Sequence, residues 1–469
     1  MKLRSKSERF DADVVLTKDE QRVNTTLMYL KQQEYAREVF LPSLPFMSVK
    51  NKIENTTLFK HLKKMPKGAV LHQHLDSMLP SEWLVKNASY RPNLYQYQGK
   101  FDAETPYGTF KFFKNPPGSL WISVKELRSA AGNVTAFDKS LVELLSTNEL
   151  AYDASIDYWS KFANFFKLAD GLLLYAPVFE DYLFKALSGA VRDNLLSVEV
   201  RALGGCVMYD LDRTYSNLES ARNIQRISDN VRKLYPQFMG VRIIVEMYRG
   251  ISDIELETYI LGTMIPLRKE VPELVVGMDL VGQEDKGYTL YYFLPALLKG
   301  LDEAARNNVT LPFFFHAGET TWGDESGHAA DNLFDAVLLS KRIGHGIALA
   351  KLPTLMEEVK RKDIALEICP ISNQVLQFVY DMRTHPADAL MANGVSITIS
   401  PDDPGPFGYE SVVYDWWMAF VAWDADLATL KKLALNSITY SAMSDVEKQI
   451  STAIWQQRWD EFVQAVLTE

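Results

Sequence analysis

Eight short runs of apolar and β-favouring residues recur down the chain: AVLHQH (69–74), LLSVEVRA (195–202), GVRIIVEM (240–247), LVVGMDLV (274–281), PFFFHA (312–317), RIGHGI (342–347), IALEIC (364–369) and VSITIS (395–400). Most are nearly continuous in apolar character, the pattern of parallel strands buried on both faces. Helical spacing fills most of the gaps. In DNLFDAVLLSKR (331–342), Leu333, Ala336, Val337 and Leu338 are read as one apolar face. Strand and helix alternating eight times predict an α/β fold, a (β/α)8 TIM barrel, with a doubly wound open sheet as the alternative.

Two stretches exceed eight such units. Residues 1–65 are polar and helix-prone and precede the first strand, so the barrel domain is placed at 66–469. About 120 residues (75–194) then separate the first two strands, far more than a crossover helix needs. Within them an insert is placed at 88–150. Its centre, SYRPNLYQYQGKFDAETPYGTFKFFKNPPGSLW (89–121), is rich in Tyr, Phe, Gly and Pro and reads as small and irregular. Residues 159–194 supply the helices that return to the second strand.

Composition narrows the partners. With 469 residues, 47% of them hydrophobic, the chain can bury a large core. A net charge of −10 and no long basic run argue against nucleic acid and point to a small molecule. No window approaches the roughly 18 apolar residues of a membrane span, so no membrane partner is expected. The opening MKLRSKSERFDADVV is basic but has no apolar run behind it, so it shows no export signal. Cys206 and Cys369 are the only cysteines and cannot form a disulfide framework. Asn24, Asn55, Asn87, Asn133 and Asn308 each begin an N-x-[ST] sequon, which suits a secreted surface and leaves the compartment open.

Chemistry concentrates at strand ends. Of seven histidines (His61, His72, His74, His316, His328, His345, His385), four fall there, and in a barrel those ends converge on one mouth. His72 and His74, two apart on the first strand, point to the same face. With His316 after the fifth strand and Asp402 after the eighth they offer three nitrogens and one carboxylate oxygen, a donor set suited to Zn2+. A water in the remaining position would be acidified toward hydroxide. Glu319, three residues past His316, would reach substrate as a general acid with its pKa raised by burial. His345 is placed to orient or deprotonate the metal-bound water. A single H-x-H or an Asp-Asp-Pro turn is common; joint placement on strands one, five and eight is not. VVGMDLVGQED offers no lysine before Lys286 to bridge two metals, which favours one zinc per subunit.

The motifs LHQHLD, HAGE, GHG and SPDDP resemble those of the adenosine deaminase branch of the amidohydrolases. The chain is more similar still to the adenosine deaminase-related growth factors, through MPKGAVLHQH, WSKF, YAPVF, GMDLVGQED, FFHAGET, RIGHG, ICPISNQVL and KQIS…IWQQRWDEF, from about residue 15 onward. The resemblance implies zinc ligation by His72, His74, His316 and Asp402, proton donation from Glu319 to purine N1, and positioning of the attacking hydroxide by His345. It further implies that Asp403 contacts N7, the Gly282 backbone lies near N3, Asp76 faces the sugar, and Trp159 belongs to the substrate-binding set. The implied reaction is zinc-dependent deamination of adenosine and 2'-deoxyadenosine at C6, giving inosine and 2'-deoxyinosine plus ammonia. The alternatives are deamination of another aminopurine nucleoside, such as a guanine nucleoside, and an extracellular growth-factor-like binding protein with secondary catalysis. The same resemblance implies secretion, a homodimer formed through the N-terminal helices, and contact with a cell-surface receptor or glycan through the insert.

The chain also departs from that branch. The insert has no cysteine pair, Leu75 separates His74 from Asp76, Ala163 follows WSKF where relatives carry glutamate, and Tyr248 replaces a polar ring near the sugar side. The missing cysteine pair bears on the insert's fold and receptor contact; the other three differences bear on the choice of nucleoside rather than on the metal chemistry.

Overall fold

The computed structural model describes residues 7–100, 107–147, 157–205, 207–321 and 328–468; Cys206 and parts of the insert (101–106 and 148–150) lie outside them. All eight expected strands form: β1 (Gly68–His74), β2 (Leu195–Ala202), β3 (Val241–Tyr248), β4 (Val275–Val281), β5 (His316–Ala317), β6 (Arg342–His345), β7 (Ala365–Ile368) and β8 (Ile397–Ile399). They pair in parallel and in sequence order as two four-stranded runs, β1 to β4 and β5 to β8. Backbone bonds join the runs at both seams. His74 N–H donates to the Asp402 carbonyl at 3.1 Å and Asp402 N–H to that of His72 at 3.2 Å. Phe314 N–H donates to the Met278 carbonyl at 2.9 Å, and Phe313 bridges to both Met278 and Ser340. The sheet therefore closes into a barrel, which removes exposed edges. The open-sheet alternative is set aside.

Two local expectations need correction. Helix His328–Leu339 buries Leu333, Ala336 and Val337, but Leu338 is 71% exposed, because one step past Val337 rotates it about 100° out of the buried stripe. The insert is not irregular. Strands Leu94–Tyr97, Phe110–Phe112 and Trp121–Ser123 form an antiparallel sheet with the first in the middle, followed by helices Val124–Ala130 and Val134–Leu144.

The insert is seated against helix Tyr158–Leu173, which leads back to the barrel. Phe112 stacks on Tyr175 at 4.1 Å, and its N–H donates to the Tyr209 hydroxyl at 3.0 Å. At Gly171 the helix comes so close that a Cβ would lie 1.6 Å from the Phe110 carbonyl oxygen. Gly171→Ala is therefore expected to push the insert off the helix and destabilise the protein by about 1–3 kcal/mol, as overpacking does. Denaturant unfolding together with limited proteolysis checks this; wild-type stability and wild-type cleavage would refute the seating.

The N-terminal segment is built into the outer layer. Helix Lys18–Tyr35 begins with a Thr17/Glu20 capping box and packs on the C-terminal helix Asp445–Thr468. Glu20 accepts from Lys431 Nζ and Trp459 Nε1, both at 2.6 Å. The buried Lys31 ammonium donates to the carbonyls of Trp423 and Ala425 at 2.7 and 2.8 Å. Among the described residues no helix is long and apolar enough to cross a membrane.

Candidate active site

At the C-terminal ends of the strands, β1 turns His72 and His74 inward, with His316 beside them on β5 and Asp402 beyond β8. His72 Nε2 lies 3.0 Å from His316 Nε2 and 3.2 Å from Asp402 Oδ1; His74 Nε2 lies 3.4 Å from the same oxygen. His345 Nε2 is 3.7 Å from Asp402 Oδ2. His72, His316, His345 and Asp402 each offer one atom to a cluster spanning no more than 4.8 Å, and His74, Asp402 and Asp403 offer a second such set.

Which imidazoles suit a metal is decided behind them. His72 Nδ1 meets Glu367 Oε2 at 2.8 Å, His74 Nδ1 meets Glu246 Oε2 at 2.7 Å, and His316 Nδ1 meets Asp279 Oδ2 at 2.7 Å. Each carboxylate draws the ring hydrogen to Nδ1 and leaves the Nε2 lone pair facing the centre, the arrangement of metal-ligating histidines. His345 differs: its Nδ1 meets an amide, Asn373 Nδ2, at 3.2 Å, and the Glu319 carboxyl oxygen Oε1, 3.4 Å away, makes no hydrogen bond. Across the two sets, then, the carboxylate-backed imidazoles are His72, His74 and His316, and Asp402 is common to both.

The supporting carboxylates were not singled out in the sequence, although a signal was there: charged residues within apolar strands. Arg201 on β2 donates Nε to Asp279 at 3.1 Å and Nη2 to Glu367 at 2.6 Å, bracing the partners of two histidines at once. Arg342 on β6 donates to Glu367 and Glu199, both at 2.6 Å. All five groups are buried. Burial by itself would raise the Glu367 carboxyl, but the Arg201 and Arg342 charges hold it well below the usual range. Asp279 is likewise depressed despite burial, by His316 and Arg201. Burial lowers His316 to about 4, which keeps it neutral and able to ligate.

Backbone geometry aims the remaining groups. His345 and Asp402 both adopt left-handed φ, 58° and 62°, a conformation uncommon outside glycine and often found at functional sites. Gly344 must be glycine, because a Cβ there would sit 2.9 Å from His72 Cε1 and 3.2 Å from the His316 Cα. Glu319 is held through its backbone, since its N–H donates to Glu284 Oε2 at 2.7 Å while Gly318 N–H donates to Oε1 at 2.9 Å. The Glu319 carboxyl itself is pushed well above its ordinary value, first by burial and then by the charges of Asp402, Glu284 and Asp403. Burial also drives Asp403 up to about 8 and Asp76 well upward, and it lowers His345 well below its usual value.

The expected substrate contacts gather here in part. Asp76 sits in the turn after β1, and Trp159 lies on helix Tyr158–Leu173 against Phe378. Gly282, at φ 103°, follows β4 under the Tyr248 ring, which would lie 2.7 Å from a Cβ at that position. Tyr248 itself is 60% exposed, so it stands at the rim rather than within the site. Buried atoms without a hydrogen-bond partner concentrate in this set: Asp76 Oδ1, Trp159 Nε1, Glu319 Oε1, His345 Nε2, Asp402 Oδ1 and Asp403 Oδ1. Buried polar atoms are normally paired, so this concentration fits a place meant for a metal ion and a polar substrate.

The family model described as adenosine deaminase matches residues 136–455, and the one described as adenosine/AMP deaminase N-terminal matches residues 6–62. Adenosine deaminase 2 of Sus scrofa is 41% identical, over 98% of this chain and 92% of its own length. Among solved structures, the apo N6-methyl-AMP deaminase of Arabidopsis thaliana superposes with a TM-score of 0.60 at 17% identity, covering 86% of this chain and 99% of that one. An amidohydrolase from Burkhoderia ambifaria with bound Zn gives 0.59 at 18% identity, covering 88% and 95%. These two likenesses bear on the barrel alone.

Proposed function

Because this chain belongs to the adenosine deaminase family, a family of metal-dependent hydrolases, we propose that it deaminates adenosine and 2'-deoxyadenosine to inosine and 2'-deoxyinosine. The observation that carries the reading is the inward convergence of three carboxylate-backed Nε2 atoms and Asp402 beside Glu319, a buried carboxyl pushed well above its ordinary value by burial. Three imidazole nitrogens and a carboxylate oxygen form a borderline donor set, and zinc is the metal we assign to it. Zinc in this site would act as a Lewis acid, bringing the acidity of water close to neutral pH.

The protein's own groups do the rest. Glu319 gives its proton to purine N1, which removes aromatic stabilisation and makes C6 electrophilic toward water. His345 holds the attacking water. Asp403, whose carboxyl burial pushes up to about 8, is assigned to N7, and the Gly282 N–H to N3. Asp76 is assigned to the sugar and Trp159 to the substrate-binding wall. Water adds at C6; one of its protons passes to the exocyclic amine and the other restores Glu319, so that ammonia leaves and C6 becomes the carbonyl.

We also place the protein outside the cell as a homodimer. Four of the five sequon asparagines (Asn55, Asn87, Asn133 and Asn308) are exposed, as glycan acceptors must be. Tyr29, Tyr35 and Val39, 60%, 49% and 47% exposed, give the N-terminal segment an apolar outer surface suited to a second copy. The insert is the proposed contact for a receptor or glycan.

Ammonia release measured with adenosine, 2'-deoxyadenosine, guanosine, 2'-deoxyguanosine and AMP tests the substrate. Adenosine and 2'-deoxyadenosine should be turned over fastest. Turnover of a guanine nucleoside alone would overturn the substrate assignment.

A further inference from the structure

His345 can serve a deaminase in two opposite ways, as a base through a bare Nε2 or as a donor through Nε2–H. The choice lies in its tautomer, and the tautomer is set from behind. His385 precedes helix Pro386–Ala392 and is 2% exposed. Its Nδ1 accepts the backbone N–H of Ala387 at 3.1 Å, and a backbone N–H can only donate. In the neutral ring the hydrogen is therefore on Nε2, which faces Asn373 Oδ1 at 3.1 Å. That contact orients the fully buried Asn373 amide with its oxygen toward His385 and its Nδ2–H2 toward His345 Nδ1, 3.2 Å away.

We propose that His385, acting through Asn373, is a positioning residue that fixes His345 as the Nε2–H tautomer, so that His345 enters the reaction as a hydrogen-bond donor and not as a base. Glu319 Oε1 also approaches Nδ1, at 3.4 Å, and it makes no hydrogen bond. On the opposite side of the ring, Nε2 has no hydrogen-bond partner and looks toward Asp402 Oδ2 at 3.7 Å, as a donor aimed into the site would. Burial lowers His385 to about 3, which keeps it neutral, and its ring packs 5.0 Å from that of Trp423, which limits rotation. The relay accounts for a buried histidine on a loop between β7 and β8 whose ring nitrogens meet Ala387 and Asn373 rather than the metal-ligating set. A single pinned tautomer also spares the site the fraction of molecules that would face the water with the wrong atom.

The inference rests on the deaminase reading for its consequence but not for its test. Nitrogen-15 spectra of histidine-labelled wild-type protein, with His345 assigned by substitution, should show His345 Nδ1 bare and Nε2 protonated. The reverse tautomer overturns the proposal whether or not the protein deaminates anything. In zinc-loaded enzyme, His385→Phe should lower kcat for adenosine about 10- to 100-fold, the usual effect of removing such a partner, with KM and zinc content nearly unchanged. His385→Gln, which can still accept from Ala387 and donate to Asn373, should recover most of the loss. Asn373→Asp keeps the size but offers Nδ1 an acceptor in place of a donor, and should lose at least as much as His385→Phe. Wild-type kcat in Asn373→Asp, or equal losses in His385→Gln and His385→Phe, would overturn the relay. A zinc-loaded wild type inert toward every nucleoside would instead sink the deaminase reading, with the spectra still deciding the tautomer.

Discussion

Glu319→Gln should reduce kcat for adenosine by roughly 10²- to 10⁴-fold, the range for losing a positioned general acid, while leaving bound metal unchanged. Glutamine keeps the shape and can still donate a hydrogen bond to N1, but it cannot transfer the proton. The expected pH profile follows from the direction of the shift. Burial and the neighbouring Asp402, Glu284 and Asp403 raise the Glu319 carboxyl, so its acid form persists to higher pH than that of an ordinary carboxyl and is lost only as pH climbs past that raised value. Wild-type activity should thus fall on the alkaline side, and the limb due to Glu319 should vanish in the variant. Steady-state kinetics across pH with metal analysis checks both statements. A variant within tenfold of wild type, with the limb intact, would remove Glu319 from the chemistry.

The second large effect concerns stability. Glu367 is fully buried and accepts from Arg201, Arg342 and His72 together. Glu367→Gln leaves two buried guanidinium groups short of a counter-charge, and breaking such an arrangement from one side costs about 3–5 kcal/mol. It also deprives His72 of the carboxylate that sets its tautomer, so zinc affinity should fall about 10- to 100-fold. Denaturant unfolding of the apo protein and zinc competition titrations measure the two losses separately. Wild-type values in both would mean that the ladder of charges from Glu199 to Asp279 is incidental.

The barrel is legible in the sequence because its strands are buried on both faces and so read as near-continuous apolar runs. The fifth is the least regular, reduced to His316–Ala317 with Phe313 bridging to each side. The insert escapes such a reading for the opposite reason: its strands are three or four residues long and half exposed, too short for a period to register beside their glycines and prolines. Within the site, the histidines and Asp402 stand out because they end strands. Glu246, Asp279 and Glu367 do not, since a charge inside an apolar strand carries no spacing signature until its histidine partner is placed across the barrel. His385 is hidden more deeply still. It reaches the site through Asn373, and only the fold brings the two together.

The central claim is that His72, His74, His316 and Asp402 hold the one metal on which deamination depends. Its most direct test is metal content and ammonia release from adenosine, measured on the same purified protein as isolated, after chelation, and after return of one equivalent of zinc. The account predicts about one zinc per chain, loss of turnover with the metal, and recovery as zinc is restored. Undiminished turnover by metal-free protein would contradict it.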